Sequence, residues 1–144
     1  VYSRSVNHFC SMKCSSRYYS GKCLVENVFE ELIQSICDRD GNKIKYIRND
    51  RTAIKPLELD FYFQLINYAI EINGPSHYIP IFGEKSLKKQ QKRDRRKIDM
   101  CSKINIDLVT ISVLDVKKDD YNEIFKKHIE NIKIRLNNNE ARNS

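Results

Sequence analysis

No apolar run in this chain approaches the roughly 18 residues needed to cross a bilayer, and no signal-peptide core stands out. The expectation is a protein neither anchored in a membrane nor secreted. Internal repeats are lacking too, as is any compositional break, so the 144 residues read as one domain rather than a solenoid or a tandem. Cysteine is sparse and odd in number. Of five, Cys10, Cys14 and Cys23 crowd the start, while Cys37 and Cys101 stand alone within helical patterns. That arrangement excludes a secreted disulfide scaffold and fits reduced thiols inside a cell. Acid is in deficit: 19 Asp and Glu against 26 Lys and Arg leave a net charge of +7, which favours a polyanionic partner without naming it. The chain opens on Val, as a fragment or a processed product would.

What is present suffices for a core. Apolar residues make up 40%, with six Phe and eight Tyr, which rules out wholesale disorder. A chain of this size buries roughly two thirds of its unfolded surface. The richness in Asn, Ile and Lys suits an AT-rich genome, so part of the Lys excess reflects codons.

Residues 1–20 form a polar, cysteine-bearing arm without a period. From Leu24, apolar residues recur at three and four through Val25, Val28, Phe29, Leu32, Ile33 and Ile36, predicting a helix that Ser20 caps and Asp40-Gly41 ends. Lys43 to Arg48 alternates weakly as a short strand, and Arg48 to Pro56 reads as a loop. Leu57 to Phe63 alternates apolar and polar, and Tyr68 to Ile72 is a second strand close enough to complete a hairpin. A basic helix follows from about Ser86 to Ile104, carrying Leu87, Ile98, Cys101 and Ile104 as a thin apolar stripe. Leu108 to Val113 is a buried type of strand. Tyr121, Ile124, Phe125, His128, Ile129, Ile132 and Leu136 mark a last amphipathic helix, on which His128 reads as structural; beyond it, 137–144 is expected to be a disordered tail. The order predicts an α/β fold with a central mixed β-sheet flanked by helices, spanning 21–136.

Chemistry concentrates on the hairpin. Asp60 and Glu71 lie on neighbouring strands, where two carboxylates can converge on one hard divalent cation such as Mg²⁺, with water completing its shell. The alternative is that both merely face solvent. His77 follows Glu71 by six residues across the turn Asn73-Gly74-Pro75, where an imidazole can move a proton near neutral pH. The stretch Lys85 to Lys97 holds Lys85, Lys88, Lys89, Lys92, Arg93, Arg95, Arg96 and Lys97 around one acid, Asp94. Such a run can neutralise nucleic-acid phosphates, or serve only as a solvated face.

The strings LELDFYFQLINYAIEINGPSHY (57–78) and QKRDRRKIDMCSKINIDLVTISV (91–113) resemble the catalytic core of the very-short-patch-repair-like branch of the PD-(D/E)XK nuclease superfamily. That branch includes a homing-endonuclease group named for its Glu, Asp, His and Asp motif residues. The resemblance covers about residues 24–113. It implies a three-layer, restriction-endonuclease-like core and Mg²⁺-dependent cleavage of DNA, by a homing or mobile-element enzyme. Asp60 would be the main metal ligand and Glu71 a second. His77 would accept a proton or touch phosphate. Glu26, with Glu30 as the second candidate, would orient water in the metal shell. Asp94 would complete the acidic side, Lys97 would stabilise charge on the phosphate, and the other cations of the run would contact DNA. The departure is Asn73, which stands where the superfamily has a Lys two residues after the Glu.

The EINGPSHY string also resembles the RAP domain, a non-catalytic RNA-associated module of the same fold. An inactive nuclease-fold DNA-binding protein is a further alternative. In the arm, His8, Cys10, Cys14 and Cys23 could hold Zn²⁺, with Lys13, Arg17 and Lys22 toward phosphate and Tyr18 and Tyr19 near bases; free thiols are the simpler state. Either a monomer or a homodimer is compatible, and the source could be an organelle, a virus or a bacterium.

Overall fold

The computed structural model describes residues 24–143, so the cysteine-bearing arm and its zinc-ligand candidates lie outside the described residues. Helix α1 covers 24–34 and sets Val25, Phe29 and Ile33, spaced by four, against the sheet. It closes with the Ser35 hydroxyl donating to the Leu32 carbonyl at 2.6 Å. Asp38 then organises the turn by accepting the Asp40 and Asn42 amide N–H groups at 2.9 and 2.7 Å, with Gly41 at a φ of 81° that a side chain would resist.

The strands are β1 (Ile47–Asp50), β2 (Leu59–Phe63), β3 (Tyr68–Asn73) and β4 (Asp107–Ser112), lying in that order across one mixed sheet. β1 pairs antiparallel with β2, and β2 with β3; β4 lies parallel to β3. The expected hairpin is present. Its turn is the short 3-10 segment Gln64–Ile66, closed by Asn67 in the left-handed region. Parallel pairing of β3 and β4 needs a crossover, and helix α2 (Glu84–Lys103) supplies it. Helix α3 (Tyr121–Asn143) completes the chain.

Alternation sorts the side chains of the sheet onto two faces. Phe61, Phe63, Tyr68, Ile70, Ile72 and Ile111 meet α1 and α3 in the larger core, where Phe29 sits edge-on to Phe61 at 5.1 Å and to Phe125 at 4.9 Å. Ala69 faces the other way, into a smaller cluster with Ile54, Leu59, Ile106 and Cys101 of α2. Every residue of β3 is buried because helices cover both its faces. The α/β architecture with a flanked mixed sheet is as the sequence predicts.

Several boundaries differ from that expectation, most of all at the first strand and the last helix. The first strand sits later, at Ile47–Asp50, where it pairs along most of β2, from Asp50 opposite Leu59 to Ile47 opposite Tyr62. The last helix does not stop at Leu136 but continues through the Asn-rich segment to Asn143. Extending an existing helix costs little per residue, and Glu140 finds Arg39 at 3.7 Å. No described helix is long and apolar enough to cross a membrane.

Candidate active site

The register of β2 and β3 pairs Phe61 with Ile70, so Asp60 and Glu71 fall opposite one another on the face covered by α2. Both are buried, at 6% and 4% exposure, which removes the solvent-face alternative. They are tied across the strands. The Asp60 amide donates to Glu71 Oε1 at 3.1 Å, and the Ile72 amide donates to Asp60 Oδ2 at 2.8 Å.

Helix α2 brings the rest. Gln90, Asp94, Lys97 and Cys101 recur at four, three and four, the spacing of one helical face, and this face turns inward. Lys97 Nζ donates to Glu71 Oε2 at 2.6 Å, with both groups buried. Asp94 Oδ2 contacts His77 Nδ1 at 2.8 Å, and the Gln90 amide donates to Asp94 Oδ1 at 2.9 Å. His77 is itself buried, at the end of a 3-10 turn (Pro75–His77) that follows β3 directly. Five of the six expected catalytic residues (Asp60, Glu71, His77, Asp94 and Lys97) thus share one face of the sheet.

Glu26 is placed elsewhere. Its carboxylate pairs with Arg48 Nη2 at 3.3 Å, Arg48 also binds Glu30, and the Tyr46 hydroxyl donates to Glu30 at 2.8 Å. Arg48 lies over the Phe61 ring, so this ion cluster belongs to the α1 side of the sheet. The reason is the packing of α1: Val25 and Phe29 pull the helix onto the Phe61 face, and Glu26 and Glu30 go with them. The expectation that Glu26 orients water around an ion beside Asp60 gains no support from this position.

The electrostatics separate the carboxyls. Burial, and then the neighbouring charge of Asp60, push Glu71 up to about 7 from an ordinary 4.5, against the pull of Lys97. Asp94 goes the other way. Burial opposes its ionisation, but the hydrogen bond and charge of His77, the Gln90 amide and the charge of Lys97 together hold it below the usual range. Lys97 therefore acts on both carboxyls and links them electrically. Cys101, beneath the pair, has its thiol pushed up to about 11 by burial and by Glu71, which makes it inert at neutral pH.

Among the described residues, no three His, Cys, Asp or Glu side chains gather closely enough to hold an ion by themselves. An ion here would have to keep most of its water, since Glu71 Oε1 already accepts from the Asp60 amide and Oε2 from Lys97. Two carboxylates sit side by side, and Asp60 Oδ1 makes no hydrogen bond within the described residues.

The cations expected to meet nucleic acid divide by face. Lys85, Lys88, Lys89, Lys92, Arg93, Arg95 and Arg96 are all exposed. With about 3.6 residues per turn, most of them form a stripe opposite Gln90, Asp94, Lys97 and Cys101. Asp94 therefore belongs to the inward face, not to the basic one.

Neither Gln90 nor Arg48 is among the site residues that the sequence singles out. The signal for Gln90 is its spacing from Asp94, Lys97 and Cys101; nothing local marks Arg48.

No family model matches the chain, and no solved structure matches it. Among curated proteins it is similar to uncharacterized protein 307L of Invertebrate iridescent virus 6, with 32% identity over 104 residues, covering 60% of this chain and 53% of that protein. The chain spans about half the length of that relative.

Proposed function

We propose that this chain is a Mg²⁺-dependent DNA endonuclease of the PD-(D/E)XK type, of homing or mobile-element kind, hydrolysing phosphodiester bonds by attack of water. The observation that carries the reading is the convergence of Asp60 and Glu71 from paired strand positions, with Lys97 on one side and the His77–Asp94 pair on the same face. Asn73 removes the superfamily's cation from the strand, and Lys97 brings one to the same glutamate from the helix.

Asp60 and Glu71 would hold the cation, which polarises a phosphoryl oxygen and lowers the pKa of its water. The other roles belong to the chain. His77 Nδ1 donates to the ionised Asp94, which leaves Nε2 to take a proton from the attacking water. Asp94 then stabilises the imidazolium. Lys97 offsets the charge of Glu71 and would stabilise charge that builds on phosphate. The exposed cations of α2 supply a sequence-independent grip on the backbone.

The test is relaxation of supercoiled plasmid in Mg²⁺ by the wild type and by Asp60→Asn, which keeps an acceptor for the Ile72 amide. The variant should lose about a thousandfold in rate, the equivalent of several kcal/mol, while binding duplex DNA within a few fold of the wild type. Preference for RNA over duplex DNA, with no cleavage in Mg²⁺, would instead establish a non-catalytic RNA-binding module.

A further inference from the structure

The geometry points to Gln90 as a positioning residue that fixes the tautomer of His77 by holding the carboxylate of Asp94. The inference deepens the reading of His77 as a proton acceptor, but it stands on contacts that involve neither metal nor DNA. Asp94 receives one donor on each oxygen: the ring Nδ1 at 2.8 Å on Oδ2 and the Gln90 amide at 2.9 Å on Oδ1. The same amide nitrogen lies 3.3 Å from His77 Nδ1.

For a neutral ring beside an ionised Asp94, those three distances leave one consistent assignment of protons. An ionised carboxylate only accepts, so Nδ1 must carry the hydrogen it shares with Asp94. The Gln90 amide cannot then donate to Nδ1, and its hydrogen goes to Oδ1. Turning the amide over would set its oxygen against the carboxylate, two acceptors with no hydrogen between them. Neutral imidazole in water prefers its proton on Nε2, the opposite arrangement. The Gln90–Asp94 contact therefore works against the ring's own preference. By stopping the carboxylate from rotating about its last torsion, it keeps Oδ2 on Nδ1 and leaves Nε2 with its lone pair free for a substrate proton.

Gln90 and Asp94 are one helical turn apart on the inward face of α2, so the clamp is built by the helix and needs no loop. No motif of the resemblance includes Gln90, and its role is to act through Asp94, not to touch a substrate.

The test reads the ring directly. In protein labelled with ¹⁵N, two-bond proton–nitrogen correlation spectra report which nitrogen of His77 is protonated when the ring is neutral, with His8→Gln and His128→Gln variants assigning the signals. The wild type is expected to show Nδ1–H with Nε2 bare. Gln90→Leu, which keeps the volume and removes the donor, should move most of the ring to Nε2–H, and Gln90→Lys, which restores a donor for Oδ1, should return it. If the wild type is already Nε2–H, or if Gln90→Leu leaves the tautomer unchanged, the assignment is overturned. Should nicking be present, Gln90→Leu should slow it in proportion to the fall in the Nδ1–H form, about tenfold if one ring in ten stays correct. Because the spectra need no DNA and no Mg²⁺, failure of the nuclease reading leaves this outcome standing, and the reverse holds as well.

Discussion

Glu71 is pulled two ways: burial and Asp60 favour its proton, while Lys97 favours its charge. Its native value near 7 lies above the ordinary 4.5, so the folded state holds the proton more tightly than the unfolded chain does. Stability from this group is complete below about 4.5 and is lost as pH rises toward 7. Asp94 has the opposite sign, contributing above its ordinary 3.8 and losing that contribution as pH falls through its depressed value. Urea unfolding of the metal-free protein should therefore show stability declining between pH 4.5 and 7, by on the order of 3 kcal/mol at most. Glu71→Gln should flatten that window, and a slope that survives the substitution would place its origin elsewhere. Asp60→Asn should draw Glu71 back toward its ordinary value, which a ¹³C titration of the side-chain carboxyl would record.

At the scale of the element, α2 is one helix with two unlike faces. Its helicity and its basic character are plain from the sequence, but its orientation is not. The apolar stripe that normally identifies the inward face is nearly missing, and two of its expected members, Ile98 and Ile104, are exposed at 55% and 48%. The face that meets the sheet is instead polar, through Gln90, Asp94 and Lys97, which pair with one another, His77 and Glu71 where a core would carry Leu. Local pattern rules fail at such places for that reason. The outward face yields its own prediction. Changing Lys88, Lys89 and Lys92 to Glu should weaken DNA binding and reduce the slope of log affinity against log salt by roughly 0.9 for each phosphate no longer neutralised. The melting temperature should barely move, since all three side chains are exposed. An unchanged salt slope would remove this stripe from the DNA-binding surface.

For the whole molecule, element order and fold class are legible because α1 and α3 keep a strict helical period and β2 alternates. What stays hidden is the relation between elements. β3 reads as a continuous apolar run with one acid, so nothing in it says which face Glu71 takes; pairing with β2 decides that, and sets it beside Asp60. Nor does the local pattern say that Glu26 of α1 pairs with Arg48 of β1. Phe29 is the hub of the α1 side, in edge contact with both Phe61 and Phe125. Phe29→Ala should cost about 3–5 kcal/mol, enough to unfold a marginal domain, as a shift in thermal midpoint or a fall in soluble protein would show. The central claim is that Asp60 and Glu71 jointly bind one divalent ion. Calorimetric titration with Mg²⁺ at pH 7, in two buffers of different ionisation heat, tests it most directly. Because burial and Asp60 hold Glu71 above the usual carboxylate range, binding of one ion should release protons, and both Asp60→Asn and Glu71→Gln should abolish it. Binding that persists in both variants, or that releases no proton, would contradict the account.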